Sequence, residues 1–240
     1  MIFENKVEKY LNGKKFSAGL SVKWTSNSNE KEMPRLNYLE NIAEDKNIIH
    51  VGCVDHLSLV KEKIEQNIWL HKRLDDVANR CIGIDINTEG LNFLRNDLGY
   101  NDVYEMDIIN DAMISQIKKA KWDYLILGEI LEHVDDPTLF LSKLRENFKG
   151  HCKSIVITVP NAFKLVNFRR SLKNEELINT DHRFWFTPYT LAKVCTQAGM
   201  SVTKFEILLD KAIPRKRFVK KFLLSRYPLF RDIIVMQINL

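Results

Sequence analysis

The sequence predicts an α/β fold, a doubly wound and mostly parallel sheet of seven strands. Three observations predict it. Between Asn47 and Gly199 short apolar runs alternate with segments of helical periodicity, the order that places helices on both faces of a parallel sheet. The runs are continuously apolar, as in Tyr124, Leu125, Ile126 and Leu127, which marks strands covered on both sides. A chain of 240 residues, 45% of them hydrophobic, is long enough for one large domain with a substantial core.

Each element has its own signal. Residues 1–32 are polar and hold no sustained period, so they read as a partly ordered arm with one short helix, either frayed or lying over a site. Leu36, Leu39, Ile42 and Ala43 share one face of a helix over 34–45, and 47–52 is the first strand. Residues 56–80 are helical with a break near Asn67 and Ile68, and 81–85 is the second strand. Thr88 suits the cap of a helix carrying Leu91, Leu94 and Leu98, which Gly99 stops. Strand three covers 103–107, a helix 111–120, and strand four 122–128. Asp136 and Pro137 then resemble the N-cap and first position of a helix over 137–148 with Leu139, Phe140, Leu144 and Phe148. Strand five is 154–159. The loop at 160–187 is long enough to be functional or disordered. Thr187 and Pro188 start a helix with Leu191, Val194, Cys195 and Ala198 on one side, ended by Gly199. The last two strand signals are 201–209 and 232–240. The chain thus divides into an arm and helix at 1–46 and a single domain at 47–240.

Composition narrows the setting. No apolar run approaches the roughly 18 to 20 residues needed to span a bilayer, and MIFENKVEKY lacks the regions of a secretory signal, so a cytoplasmic location is expected. Cys53, Cys81, Cys152 and Cys195 are scattered, without the spacing of a disulfide framework or zinc site, and no metal is expected. The net charge of +5 is concentrated between Lys211 and Arg231, a stretch without an acid. Within this basic insert at 210–231, Phe218, Phe222, Leu223 and Leu224 interleave with lysines and arginines. Such a helix could lie on an anionic membrane surface, peripheral to its inner face, receive an anionic acceptor, or pack its apolar stripe on the sheet. A nucleic-acid partner is not expected, because no RNA-binding motif accompanies the charge.

The polar groups that could carry chemistry gather at strand tips. They are GCVDH at 52–56, DIN at 85–87, MDI at 106–108 and GEILEH at 128–133. Ligands of open α/β sheets bind in the crevice beyond these carboxyl ends. The set, in this order, resembles the class I S-adenosylmethionine-dependent methyltransferases, and GEILEHVDDP is similar to the branch with an xEhLEHhxDP pattern after strand four. DHRFWFTPYTL at 181–191 is similar to that branch's HxxxFTPxxL segment. The resemblance covers about residues 47–209 and implies a Rossmann-like fold, a terminal antiparallel strand pair, S-adenosylmethionine as cofactor, and an acceptor such as those of bacterial surface-glycan synthesis. It implies cofactor contacts at Gly52, Cys53, Val54, Asp85, Ile86, Asp107, Ile108, Gly128 and Glu129. The sequence departs from the family at His50, Val54 and His56, where an acid and further glycines are usual.

Elementary chemistry agrees with part of this. Both oxygens of Asp85 can accept from a ribose diol, and Gly52 permits close backbone approach. Asp107 and the backbone of Ile108 suit the adenine edge, with a simple turn acid as the other reading of Asp107. His133 is a candidate base for a hydroxyl acceptor, or else a loop histidine paired with Glu132 or Asp135. Glu132, His182 and Arg183 are candidate substrate contacts, the last two alternatively fixing their loop. Trp185 and Phe186 read as loop anchors. A nicotinamide oxidoreductase is disfavoured, since a pyrophosphate needs repeated glycines and Asp85 lies too far from Gly52. A silent S-adenosylmethionine-binding protein that docks on a membrane or partner is the other class that fits.

Overall fold

The computed structural model describes Met1 and residues 5–24, 33–202, 205–214 and 216–240. Its strands are β1 (Asn47–Val51), β2 (Arg80–Asp85), β3 (Val103–Glu105), β4 (Trp122–Gly128), β5 (Cys152–Pro160), β6 (Phe205–Leu208) and β7 (Ile233–Asn239). The helices are α1 (Asn5–Leu11), α2 (Arg35–Ala43), α3 (Leu57–Glu65), α4 (Leu70–Val77), α5 (Thr88–Asn96), α6 (Ser115–Lys118), α7 (Pro137–Phe148), α8 (Leu165–Ser171), α9 (Pro188–Gln197) and α10 (Phe218–Arg226). The strands form one sheet in the order β3-β2-β1-β4-β5-β7-β6. Neighbours from β3 to β5 are parallel, and β7 runs antiparallel between β5 and β6. The chain winds outward from β1 to β3 and returns to β1's other side at β4, so the winding reverses between β1 and β4, where such sheets hold ligands.

Alternation along the central strands divides the core. Ile49, Leu125, Leu127, Ile155 and Ile157 pack into a layer with α1, α7 and α9, which contribute Val7, Leu144, Phe148, Leu191 and Cys195. Ile48, Ile126 and Val156 face the opposite layer with Leu39, Ala43, Leu70 and Leu74 of α2 and α4. A third cluster joins Val60, Leu91, Leu94 and Trp69 to Cys53 and Val54. At Gly90, a Cβ would collide with Val54 Cγ1; the absent side chain lets α5 close on the turn after β1. His50 faces α4 and lies 3.2 Å, Nδ1 to Nδ1, from His71. Burial lowers both imidazoles, His71 to about 4, so the pair is neutral at pH 7.

Several expected boundaries move for local reasons. Asn87, not Thr88, caps α5, because its Oδ1 accepts from Gly90 N–H at 2.9 Å. The helix expected over 111–120 shrinks to α6, since Asp111 Oδ2 accepts from Asp107 N–H and holds a turn there. β3 stops at Glu105, and Leu139 of α7 is exposed. The break in the 56–80 helix is present, with Asn67 at φ +54°. Asp136 caps α7 by accepting from Thr138 and Leu139 N–H, and Thr187 and Thr190 form a capping box on α9. The long loop contains α8. The short arm helix α1 packs on α9, where Lys193 Nζ donates to Tyr10 O at 2.7 Å. The rest of the arm at 25–32 and the residues 203–204 of the sixth strand signal lie outside the described residues. All four cysteines are buried and free, and no helix among the described residues is long and apolar enough to cross a membrane.

Candidate active site

The strand tips meet at one edge. Val51 pairs with Ile84 on one side and Leu127 on the other, so the turns after β1, β2 and β4 leave the sheet together. Gly52 turns at φ +74°, and a Cβ there would strike the Ile130 side chain. Asp85 accepts from Val54 N–H through Oδ2 at 2.9 Å and from Asn87 N–H through Oδ1 at 3.0 Å. These bonds orient the carboxylate and leave each oxygen a lone pair for a ligand diol. Ile86 beside it is 72% exposed. Cys53 and Val54 bury their side chains in the core, so only their backbone can face the crevice.

Beyond β3, Asp107 accepts from Ile109 N–H and from the Asn110 amide, which hold its carboxyl below the usual range. Its turn role is therefore realised, and an exposed carboxylate remains. Ile108 is a core residue whose carbonyl accepts from Asn147 Nδ2 at 3.2 Å.

The turn after β4 is the most constrained. Glu129 has φ +63°, and its N–H donates to Thr158 O. Arg35 of α2, which no local sequence signal marks as part of the site, pairs with Glu129 at 3.0 Å. Glu132 is fully buried, and neither carboxylate oxygen has a hydrogen-bond partner. Burial, aided by the charge of Glu129, pushes its pKa up to about 8.

The 160–187 loop docks against this turn. Arg183 N–H donates to the Glu132 carbonyl at 2.7 Å, and its guanidinium pairs with Asp135. His182 Nε2 lies 3.9 Å from Glu132 Oε1, and its buried Nδ1 has no partner. The His133 and His182 rings meet edge to face at 4.7 Å. His133 bonds the backbone of Asp181, and burial lowers both imidazoles, leaving them neutral at pH 7. One ligand atom each from Glu132, His133 and His182 falls within 4.8 Å of the others. A buried carboxyl without donors facing two neutral imidazoles is a donor set suited to a divalent cation, which would replace the missing hydrogen bonds. The bond from His133 to Asp181 is the kind of outer contact that fixes a ligating imidazole. Sequence spacing alone does not point to this set, because His182 reaches it only through the loop's return. Trp185 reaches Glu176 at 3.3 Å and Phe186 is buried, so both anchor the loop as expected.

No protein-family model and no curated protein matches the chain. Solved structures do. The small RNA methyltransferase HEN1 superposes with a TM-score of 0.55 at 19% identity over 92% of this chain, which spans 27% of that one. The methyltransferase domain of a bacterial Hen1 gives 0.53 at 16% identity, over 89% of this chain and 99% of that one. Magnesium protoporphyrin IX methyltransferase from Synechocystis PCC 6803, solved with bound SAH, gives 0.50 at 12%, over 85% and 79%. The chain therefore has the Rossmann-like fold of the S-adenosylmethionine-dependent methyltransferases.

Proposed function

We propose that the chain is an S-adenosylmethionine-dependent methyltransferase acting on a hydroxyl of a sugar or small-molecule acceptor, with surface-glycan synthesis as the setting. Glu132, His133 and His182 would hold a divalent cation, which would supply Lewis-acid activation of the acceptor hydroxyl. The observation that carries this reading is the buried, unpartnered Glu132 carboxyl facing two imidazoles at the edge where Asp85 and Gly52 emerge.

The cofactor would place its ribose on Asp85 and its methionine end near Gly52, with the adenine edge by Asp107 and Ile108. When bound, the cofactor would supply a sulfonium methyl open to in-line displacement by the acceptor oxygen, with sulfur leaving as a neutral thioether. The enzyme's part is alignment and exclusion of water. The acceptor must shed a proton to solvent as its oxygen attacks. A cation held by the three side chains would lower that hydroxyl's pKa. Arg35 pairs with Glu129, and its positive charge partly opposes the rise that Glu129 imposes on the Glu132 carboxyl. The 160–187 loop, fixed through Arg183, closes one wall.

RNA is the second acceptor class, because one of the similar structures is a small RNA methyltransferase by its name. Labelled methyl incorporation into a cell extract, fractionated into glycans, lipids, RNA, proteins and small molecules, identifies the acceptor. S-adenosylhomocysteine should raise the melting temperature and NAD should not, since a ligand selective for the folded state stabilises it. A shift with NAD alone overturns the proposal. Loss of turnover with a chelator and its return with Mn²⁺ supports the cation. Turnover indifferent to the chelator but lost in His133→Ala returns His133 to the role of base.

A further inference from the structure

The basic insert folds in a way that leaves several of its large apolar residues facing outward. In α10 the one buried residue is Leu224, which anchors the helix, while Arg231 Nε donates to the Leu224 carbonyl at 3.2 Å. Phe218, Val219 and Phe222 are 73%, 65% and 72% exposed. At about 100° per residue these three fall on one stripe, roughly opposite Leu224. Of the four apolar residues that the sequence interleaves with the cations, Leu224 packs inward and Leu223 is half-buried, whereas Phe218 and Phe222 face outward.

The surface continues onto α8. Phe168 and Leu172 are exposed, and the Phe168 ring lies 6.2 Å from Phe230, just beyond α10. The two segments share a root, because buried Asn161 donates through Nδ2 to the carbonyls of Leu229 and Arg231, each at 2.8 Å. Cations rim the apolar stripe. Lys221 flanks it on α10, Arg226 lies in line with it at the helix's C-terminal end, both are exposed, and Arg169 stands beside Phe168. Arg170 is paired with Glu175 and contributes no free charge.

From this arrangement we infer that the α8–α10 face docks on an anionic lipid bilayer, the aromatic and aliphatic side chains entering the headgroup boundary and the cations meeting lipid phosphates. Large exposed apolar side chains interleaved with cations are the interfacial pattern. The aliphatic members, Val219 and Leu172, offer no plane on which a base could stack, which separates the face from a nucleic-acid platform. Docking would hold the loop that carries His182 close to the membrane, where a membrane-borne acceptor is reached. It does not depend on the transfer chemistry.

The test is sedimentation of the whole chain with vesicles of phosphatidylcholine alone and of phosphatidylcholine with phosphatidylglycerol. Binding is expected to the anionic vesicles only and to weaken with salt. Removing both aromatic anchors in Phe218→Ser/Phe222→Ser should weaken it by at least about tenfold. Lys221→Ala and Arg226→Ala should each weaken it by about fivefold. These side chains are exposed, so the melting temperature should hold, which separates docking from misfolding. In Phe222→Trp, anionic vesicles should shift the new indole emission to the blue. No sedimentation, equal binding to both vesicles, or an unaffected aromatic double variant overturns the inference. So does RNA binding lost in the same variants without vesicle binding.

Discussion

Replacing Glu132 by glutamine should change how the protein's stability responds to pH. The carboxyl is fully buried and unpartnered, and its pKa is pushed from the usual 4.5 up to about 8, first by burial and then by Glu129. In the unfolded chain it ionises near 4.5. Between those values the folded state holds one proton more than the unfolded state, so stability falls as pH rises. The slope is about 1.4 kcal/mol per pH unit, and the full loss above pH 8 is about 5 kcal/mol. Glutamine fills the same space and cannot ionise. Urea unfolding in the presence of a chelator, at pH 5.5 and 7.5, should therefore show the wild type weakening against Glu132→Gln by about 3 kcal/mol, two units of that slope. The lowered imidazoles of His133 and His182 act in the opposite sense, adding stability as pH rises, but both proteins carry them. Mn²⁺ should restore the wild type at pH 7.5 and leave the variant unmoved, because the ion competes with that proton. A wild-type-to-variant difference that stays constant between the two pH values would refute the reasoning, since it would mean that the buried carboxyl is already ionised.

In the crevice, Asp85→Ala frees the Val54 and Asn87 N–H groups and should cost about 1–3 kcal/mol of stability in urea melts while abolishing the S-adenosylhomocysteine shift; a retained shift removes Asp85 from the ribose. Gly90→Ala drives a methyl into Val54 and should cost about 1–3 kcal/mol, with Val54→Ala in the same chain recovering part of it; additive losses by thermal melting would show that the contact is not the cause.

Much of the fold is written in local pattern. The continuous apolar run at Tyr124–Leu127 predicts a strand buried on both faces, and β4 lies at the centre of the sheet. Asp136, Pro137, Thr187 and Gly199 punctuate helices through bonds made within a few residues, so they can be read without knowing the rest of the chain. Where competing short-range bonds exist, reading fails: Asn87 outcompetes Thr88 as a cap, and Asp111 turns a predicted helix into a turn.

The sequence by itself determined the alternation of strands and helices, the polar strand tips and the concentration of positive charge, because each depends on neighbours in the chain. Only the tertiary structure decided what those groups meet. Arg35 reaches Glu129 across 94 positions, His182 returns to Glu132 across fifty, and α10 turns its aromatic stripe outward because Leu224 alone finds the core. Such partners are set by how the sheet brings distant segments to one edge, and burial of a carboxyl without donors is a property of that assembly, invisible in any local stretch.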